Sequence, residues 1–211
     1  MHCTRAMIAS WWGSADDVLH HVQRARAAGP SGIGAIRLVG LETRALAQSG
    51  QHERAVELLH TAHDHRDTLS TTGNLRDLGE VFTFSMARQH YYNAATSAHM
   101  HDWKTVEREA STVISLYDTP ATSQCWPVTM TLSQVYLAQA RLSHSGPEGA
   151  WDALVPVFEI PDEQRIPQTA QALNRIRAQL RTTACANLPA ARDLDEAILN
   201  FRPTADTQER P

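Results

Sequence analysis

Residues Ile33–Asp67 read IGAIRLVGLETRALAQSGQHERAVELLHTAHDHRD, and their apolar pattern is the strongest structural signal in the chain. The first half is apolar almost all round, as is typical of a helix that packs against several neighbours. In the second half, apolar residues recur at the i, i+3, i+4 and i+7 positions of one helix face, and they are Ala55, Leu58, Leu59 and Ala62. Gly50 separates the halves, where a left-handed helix cap favours a residue without Cβ. The pattern therefore predicts a hairpin of two helices that needs further helices beside it.

The rest of the chain predicts three more hairpins and two C-terminal capping helices. The hairpins are expected at Cys3–Trp12 with Asp16–Ala28, at Phe84–His99 with Trp103–Tyr117, and at Val128–Ser143 with Trp151–Phe158. Ser14 is the expected N-cap of the second helix, and Pro156 is expected to kink or end its helix near Leu154. The capping helices are expected at Gln168–Thr182 and Ala190–Phe201. Small or branched apolar residues of the second helices are expected to be buried: Ala55, Leu59, Val106, Ala110, Ala150 and Leu154.

These segments together predict the fold class and the domain organisation. No alternating strand pattern of useful length occurs, so we expect an all-α protein. Residues 1–201 are expected to form one helical-repeat domain. Residues 202–211 are polar and are expected to be a disordered tail.

The Ile33–Asp67 hairpin resembles a tetratricopeptide repeat (TPR). Gly50, Ala55, Leu59 and Ala62 stand at the spacing of that family's glycine, alanine, large apolar residue and second alanine. The resemblance implies a TPR-like solenoid of about four hairpins with C-terminal capping helices, which binds ligands along a concave groove lined by the first helices. Carrying the groove positions over gives these candidate binding residues: Arg37, Arg44, Arg88, Tyr91, His99 and Gln139.

The predicted groove positions include three arginines and one of two adjacent tyrosines. The three arginines could bind carboxylates of a peptide terminus or of acidic side chains, or they could simply be solvated. Tyr91 and Tyr92 point about 100° apart on a helix, so we expect one of them to face the groove.

A second stretch begins at Gly79 and resembles a different group of proteins. Its segments VFTFSMARQHYY, Asp102-Trp103 and ISLYD, with the later Ala191-Arg192-Asp193-Leu194, are similar to the C-terminal helical-repeat region of actinobacterial transcriptional regulators. Those regulators begin with an XRE-type helix-turn-helix domain. No helix-turn-helix with basic flanks precedes the first predicted hairpin here, so the resemblance implies the sensing or docking part of such a regulator.

Composition argues against several classes of partner. The 211 residues carry 19 basic and 23 acidic side chains, so we expect no specific DNA binding by this chain itself. No apolar run approaches the roughly 20 residues that cross a bilayer, which predicts no membrane partner. The three cysteines are odd in number and far apart, which favours a reducing cytoplasm over a disulfide framework.

Catalytic and metal signals are weak. Among 11 histidines, His60, His63 and His65 cluster beside Asp64, but no third ligand at fixed spacing accompanies them. Cys125 and Cys185 have no local activating motif. We therefore predict that the chain binds no metal and no cofactor and has no enzymatic activity. The alternative is a helical enzyme with a pocket formed by His90, His99 and Asp102. A metal analysis that finds one ion per chain would support this alternative.

The function predicted from the sequence is an interaction or ligand-sensing module of a transcriptional regulator. It would bind a peptide, a small ligand or a partner protein in its concave groove, and a homodimer is left open. The rival interpretation is a free-standing TPR adaptor or scaffold that is unrelated to DNA. A helix-turn-helix segment upstream of Met1 would favour the regulator.

Overall fold

The regular structure is helical throughout the part of the chain that the computed structural model describes, which is residues 2–30, 32–68, 84–118 and 127–203. The all-α prediction is therefore confirmed for these residues. A 3-10 turn, Asp162–Gln164, precedes α8. The helices are α1 (His2–Trp12), α2 (Ala15–Arg26), α3 (Ile33–Gln48), α4 (His52–Thr68), α5 (Met86–His99), α6 (Trp103–Tyr117), α7 (Pro127–Phe158), α8 (Pro167–Thr182) and α9 (Pro189–Asn200). The predicted tail lies outside the described residues from position 204 onward.

The chain divides into two compact units, residues 1–102 and residues 103–211. In the first unit α3 packs against α1, α2, α4 and α5. This central position explains why α3 is apolar on almost every side, because each side meets another helix. In the second unit α7 holds the corresponding position and packs against α6, α8 and α9. None of the helices in the described ranges is long and apolar enough to cross a lipid bilayer.

The turn between α3 and α4 has the predicted left-handed cap. Gly50 has φ of 79°, the Gln51 N–H donates to the Leu46 carbonyl at 2.8 Å, and the Gly50 N–H donates to the Ala47 carbonyl at 3.1 Å. This pair of bonds is the Schellman motif, which satisfies carbonyls that the end of a helix leaves open. The predicted cap at Gly50 is confirmed.

The end of α5 repeats this geometry with a different residue. His101 has φ of 58°, and the Asp102 N–H donates to the Ser97 carbonyl at 3.0 Å. A histidine adopts this conformation at a cost that glycine avoids, because its Cβ approaches the following carbonyl. The position of this turn was predicted correctly. Its left-handed backbone was not predicted, because no glycine marks it.

The N-cap at Ser14 is also confirmed. The Asp17 N–H donates to Ser14 Oγ at 3.2 Å, and the Ser14 N–H donates to Asp17 Oδ2 at 3.0 Å. These reciprocal bonds form a capping box. The Ser14 N–H and the Ser14 hydroxyl both donate to Asp17 Oδ2, and they hold the pKa of the Asp17 carboxyl below its ordinary value because they favour the ionised form.

Helix α7 corrects the predicted fourth hairpin. The chain breaks at Gly146, where φ is 76° and ψ is −169°, but the helix resumes directly at Pro147. The second helix was predicted to begin at Trp151, which is wrong. It begins at Pro147, because proline is well suited to the first position of a helix, where its missing N–H has no intrahelical partner to lose. Pro156 does not end the helix near Leu154; the helix continues to Phe158.

Five of the six residues predicted to be core are fully buried, and Leu59 is the exception. Ala55, Val106, Ala110, Ala150 and Leu154 are fully buried, whereas Leu59 is half-buried. Ala55 joins Leu46 and Ala47 in a cluster against which Leu58 packs. The face of α4 that packs on this cluster therefore contains Ala55 and Leu58 but not Leu59. The side chain of Ala62 lies outside the described residues.

An ion pair joins α8 to α9 and gives a pH-dependent prediction. Arg177 Nε donates to Asp195 Oδ1 at 2.7 Å, and this bond, more than the charge of Arg177, lowers the pKa of the Asp195 carboxyl below 3.8. Such a pair stabilises the fold above the ordinary pKa of aspartate, and this contribution is lost as the pH falls through the lowered pKa. We expect Asp195→Asn to reduce the free energy of unfolding at pH 7 by about 1 kcal/mol or less.

Urea denaturation of both proteins between pH 7 and pH 3 checks this expectation. The difference should shrink as the pH falls below 3.8. Asp193→Asn, an exposed change on the same helix, is the matched control and should have little effect at any pH. An Asp195→Asn difference that is constant across this range would contradict the ion-pair explanation.

Candidate functional site

The candidate site is built where α3 and α5 approach closely. A Cβ atom on Gly40 would lie 3.3 Å from Tyr92 Cγ and 3.4 Å from Phe84 Cζ, so glycine permits this approach. The hydroxyl oxygens of Thr43 and Thr96 are 3.3 Å apart and form a buried hydrogen bond between the same two helices. The backbones of α3 and α5 are thus held in a fixed relation at the site.

The charges of three arginines act on the Tyr92 phenol at this crossing. Arg37 and Arg44 lie seven residues apart on the face of α3 that contains Gly40, and Arg88 lies one turn before Tyr92 on α5. Burial raises the pKa of the Tyr92 phenol, while the charges of Arg44, Arg88 and Arg37 oppose this rise. Arg37, Arg44 and Arg88 therefore share one neighbourhood, which we call the arginine cluster.

The members of the arginine cluster differ in their access to solvent. Arg44 is only 8% exposed, whereas Arg37 and Arg88 are half-buried. Part of the Arg37 and Arg88 side chains is therefore open to solvent, whereas Arg44 is enclosed.

Helix α1 also reaches the arginine cluster through Cys3. The Cys3 side chain forms a hydrogen bond with Arg37. Burial raises the pKa of the Cys3 thiol, and the charge and hydrogen bond of Arg37 only partly oppose this. The thiol is therefore protonated at neutral pH and serves as a packing and hydrogen-bonding group there.

The structure changes the list of groove residues predicted from the sequence. Tyr91 and Tyr92 are each 7% exposed, with ring centroids 5.3 Å apart in an edge-on arrangement. The sequence predicted that one of them faces a groove, but both are buried, as is every residue of α5 from 91 to 97. Arg44, another predicted groove residue, is also buried. Of the predicted residues in the first unit, Arg37, Arg88 and His99 remain accessible.

Gln139 belongs to the second unit and is 7% exposed. Its backbone carbonyl accepts a hydrogen bond from Gln179 Nε2 at 3.0 Å, which joins α7 to α8. This arrangement gives Gln139 a packing role in the second unit. The sequence predicted Gln139 as a groove-binding residue, and the structure shows it buried.

Sequence reasoning missed Cys3 and did not decide between Tyr91 and Tyr92. The charges of the arginine cluster act on Tyr92, and Cys3 bonds to Arg37. The adjacent tyrosines gave no signal as to which one meets α3. The position of Gly40 was the available clue, since a glycine within a helix often marks a close approach of another element.

The predicted alternatives with metal or acid-base chemistry are not assembled among the described residues. In this part of the chain no group of three or more His, Cys, Asp or Glu side chains could hold a metal ion. His90 and His99 lie nine residues apart on α5, which places them about 180° apart around the helix. Asp102 is exposed beyond the end of α5. His60 is exposed, and the side chains of His63, His65 and Cys125 lie outside the described residues.

The chain was compared with known proteins at three levels. Comparison with protein-family models, with curated proteins and with solved structures found no match.

Proposed function

We propose that the chain is a non-enzymatic, TPR-like interaction or ligand-sensing module of a transcriptional regulator. Its ligand is a peptide, small molecule or partner protein that presents a carboxylate to the arginine cluster. The regulatory context rests on the resemblance of the segment that begins at Gly79, and the TPR-like solenoid rests on the Ile33–Asp67 pattern.

The single observation that carries the ligand class is that the charges of Arg37, Arg44 and Arg88 all act on the Tyr92 phenol. Guanidinium groups bind carboxylates through two parallel hydrogen bonds, which gives directional as well as electrostatic recognition. Arg37 and Arg88 come from different helices, and we expect one carboxylate-bearing ligand to contact both. Binding at this position involves α3 and α5 directly, and α1 through the bond from Cys3 to Arg37.

Ligand binding at the arginine cluster would act as a signal by favouring one arrangement of these three helices. A ligand shifts a conformational equilibrium only by its difference in affinity for the two states. Guanidinium groups on separate helices supply such a difference, because their spacing changes when the helices tilt. A DNA-binding domain attached to or associated with the chain would then respond to the tilt.

We expect a fluorescein-labelled octaglutamate peptide to bind the full chain and to require Arg37 and Arg88. The Arg37→Gln/Arg88→Gln double variant should weaken binding at least about tenfold, because each loses a charge-assisted contact. Both residues are half-buried at the helix surface, so glutamine keeps most of the packing of their side-chain stems. Fluorescence anisotropy at about 0.15 M salt, where distant surface charges are screened, measures the affinity.

The matched control for this test is the Arg24→Gln/Arg54→Gln variant. Both of these arginines are exposed on helices of the same unit, and the net charge changes equally. Equal weakening in the two double variants would mean that only net charge matters. That outcome, or the absence of binding to the unmodified chain, would contradict the proposed site.

A further inference from the structure

The second half of α7 presents an apolar strip to solvent. Trp151 and Val155 are 37% and 39% exposed, and the half-buried Phe158 ring lies 5.5 Å from the Trp151 ring. The three residues follow the i, i+4 and i+7 spacing, so they form one line along the helix. We call this line the α7 strip. The face about 100° around the helix is buried, as Ala150, Leu154 and Val157 are fully enclosed.

A row of carboxylates runs beside the α7 strip. Glu148 and Asp152 are exposed on the adjoining side of the same helix, and Glu159 is exposed directly after its end. Asp162 and Glu163, which are also exposed, follow in the 3-10 turn. The sequence from residue 147 to residue 164 contains no lysine or arginine. The apolar line is therefore bordered by charges of one sign.

The first basic residue after this segment, Arg165, faces inward. Its Nε donates to the Ile160 carbonyl at 2.9 Å, and its guanidinium lies 4.7 Å from the centre of the buried Phe201 ring. It also pairs with Asp162, at 2.6 Å, which leaves the other carboxylates of the row facing solvent. The exposed charges of the segment that carries the α7 strip are thus acidic.

We propose that the α7 strip is a docking surface for a basic amphipathic helix of a partner protein. The i, i+4 and i+7 spacing of Trp151, Val155 and Phe158 matches the side-chain repeat of a helix laid along α7. Lysine or arginine side chains on the polar face of that helix would lie over Glu148, Asp152 and Glu159. Complementary charge selects a basic partner and repels an acidic one. Because the strip is small, the interaction is weak and depends on salt.

This docking surface is independent of the proposed carboxylate site. It lies in the second unit, whereas the arginine cluster lies in the first. The two surfaces also select ligands of opposite charge. Failure of one proposal therefore leaves the other testable with its own probe.

The probe for the α7 strip is a synthetic 18-residue peptide of leucine and lysine, arranged so that a helix has one apolar and one basic face. We expect the full chain to bind this peptide, and Val155→Lys to weaken binding at least about tenfold, because it interrupts the apolar line and adds a repelling charge. Asp152→Lys should weaken binding as well, since it removes one carboxylate of the row and leaves the apolar strip unchanged.

The matched control is Val56→Lys on α4. Val56 is 42% exposed, close to the exposure of Val155, and the change adds the same charge. Isothermal titration calorimetry measures all four proteins, and circular dichroism verifies that each is folded. We expect Val56→Lys to bind as the unmodified chain does, and a leucine-glutamate peptide of the same pattern not to bind.

Three results would overturn the proposal. Equal weakening of binding by Val155→Lys and Val56→Lys would mean that binding depends on the net charge of the chain and not on the α7 strip. Equal binding of the leucine-glutamate peptide would remove the charge preference. A dimer in sedimentation velocity that Val155→Lys converts to a monomer would identify a second copy of the chain as the occupant.

Discussion

Ala55→Asp should reduce the free energy of unfolding by on the order of 3–5 kcal/mol, which is much of the stability of an ordinary domain. Ala55 is fully buried between α3 and α4, where it packs with Leu46 and Ala47 and where Leu58 closes the cluster. An aspartate there would either remain ionised without a partner or take up a proton, and both outcomes cost free energy. Its two carboxylate oxygens would also need space that the alanine does not occupy.

The adjacent residue supplies the control. Val56 is exposed on the same helix, so Val56→Asp introduces the same carboxylate into water. A surface substitution of this kind changes stability by about 0.5 kcal/mol. Urea denaturation followed by circular dichroism compares the two variants directly. Similar losses in both would mean that Ala55 is not part of a closely packed interface.

Leu154→Ala should reduce the free energy of unfolding by about 2–5 kcal/mol. Leu154 is a fully buried side chain of α7, the helix on which α6, α8 and α9 pack. Truncation removes apolar contacts and leaves a cavity that helices packed on several sides fill only in part. The same denaturation experiment measures the loss.

Val155→Ala is the matched control for Leu154→Ala. It removes methyl groups from the next residue, which is 39% exposed, and should have a much smaller effect. If both variants lost similar stability, the division of this segment into a buried face and an exposed strip would be wrong. The result therefore bears on the core and on the proposed docking surface together.

The ends of several helices could be predicted from the sequence, because single residues such as glycine and serine mark helix caps. Gly50 reveals a left-handed cap, and Ser14 with Asp17 reveals a capping box. These features depend only on backbone geometry within a few residues. The limits of most helices were therefore predicted to within two residues, and the main error occurred where Pro147 followed a glycine.

The candidate site was less predictable because burial depends on helices that are distant in sequence. Arg44 and Tyr91 are a charged and an amphipathic residue, which a single sequence places at a surface, yet both are enclosed. The close approach of α3 and α5 at Gly40 joins two helices that are far apart in sequence, and the glycine indicates that something approaches without indicating what. The likeness to a repeat family indicated these helices and arginines, but it could not indicate how deeply each residue is buried.

The order in which the helices pack has a consequence for the rate of folding. In the first unit α1 packs on α2, α2 on α3 and α3 on α4; in the second, α6 packs on α7, α7 on α8 and α8 on α9. Most partners are thus close in sequence, so each contact closes a short loop and loses little chain entropy. Helical proteins with such local contacts fold in microseconds to milliseconds. A ribosome adds only about 5–20 residues each second. Each pair of helices therefore has time to form before the next one is synthesised.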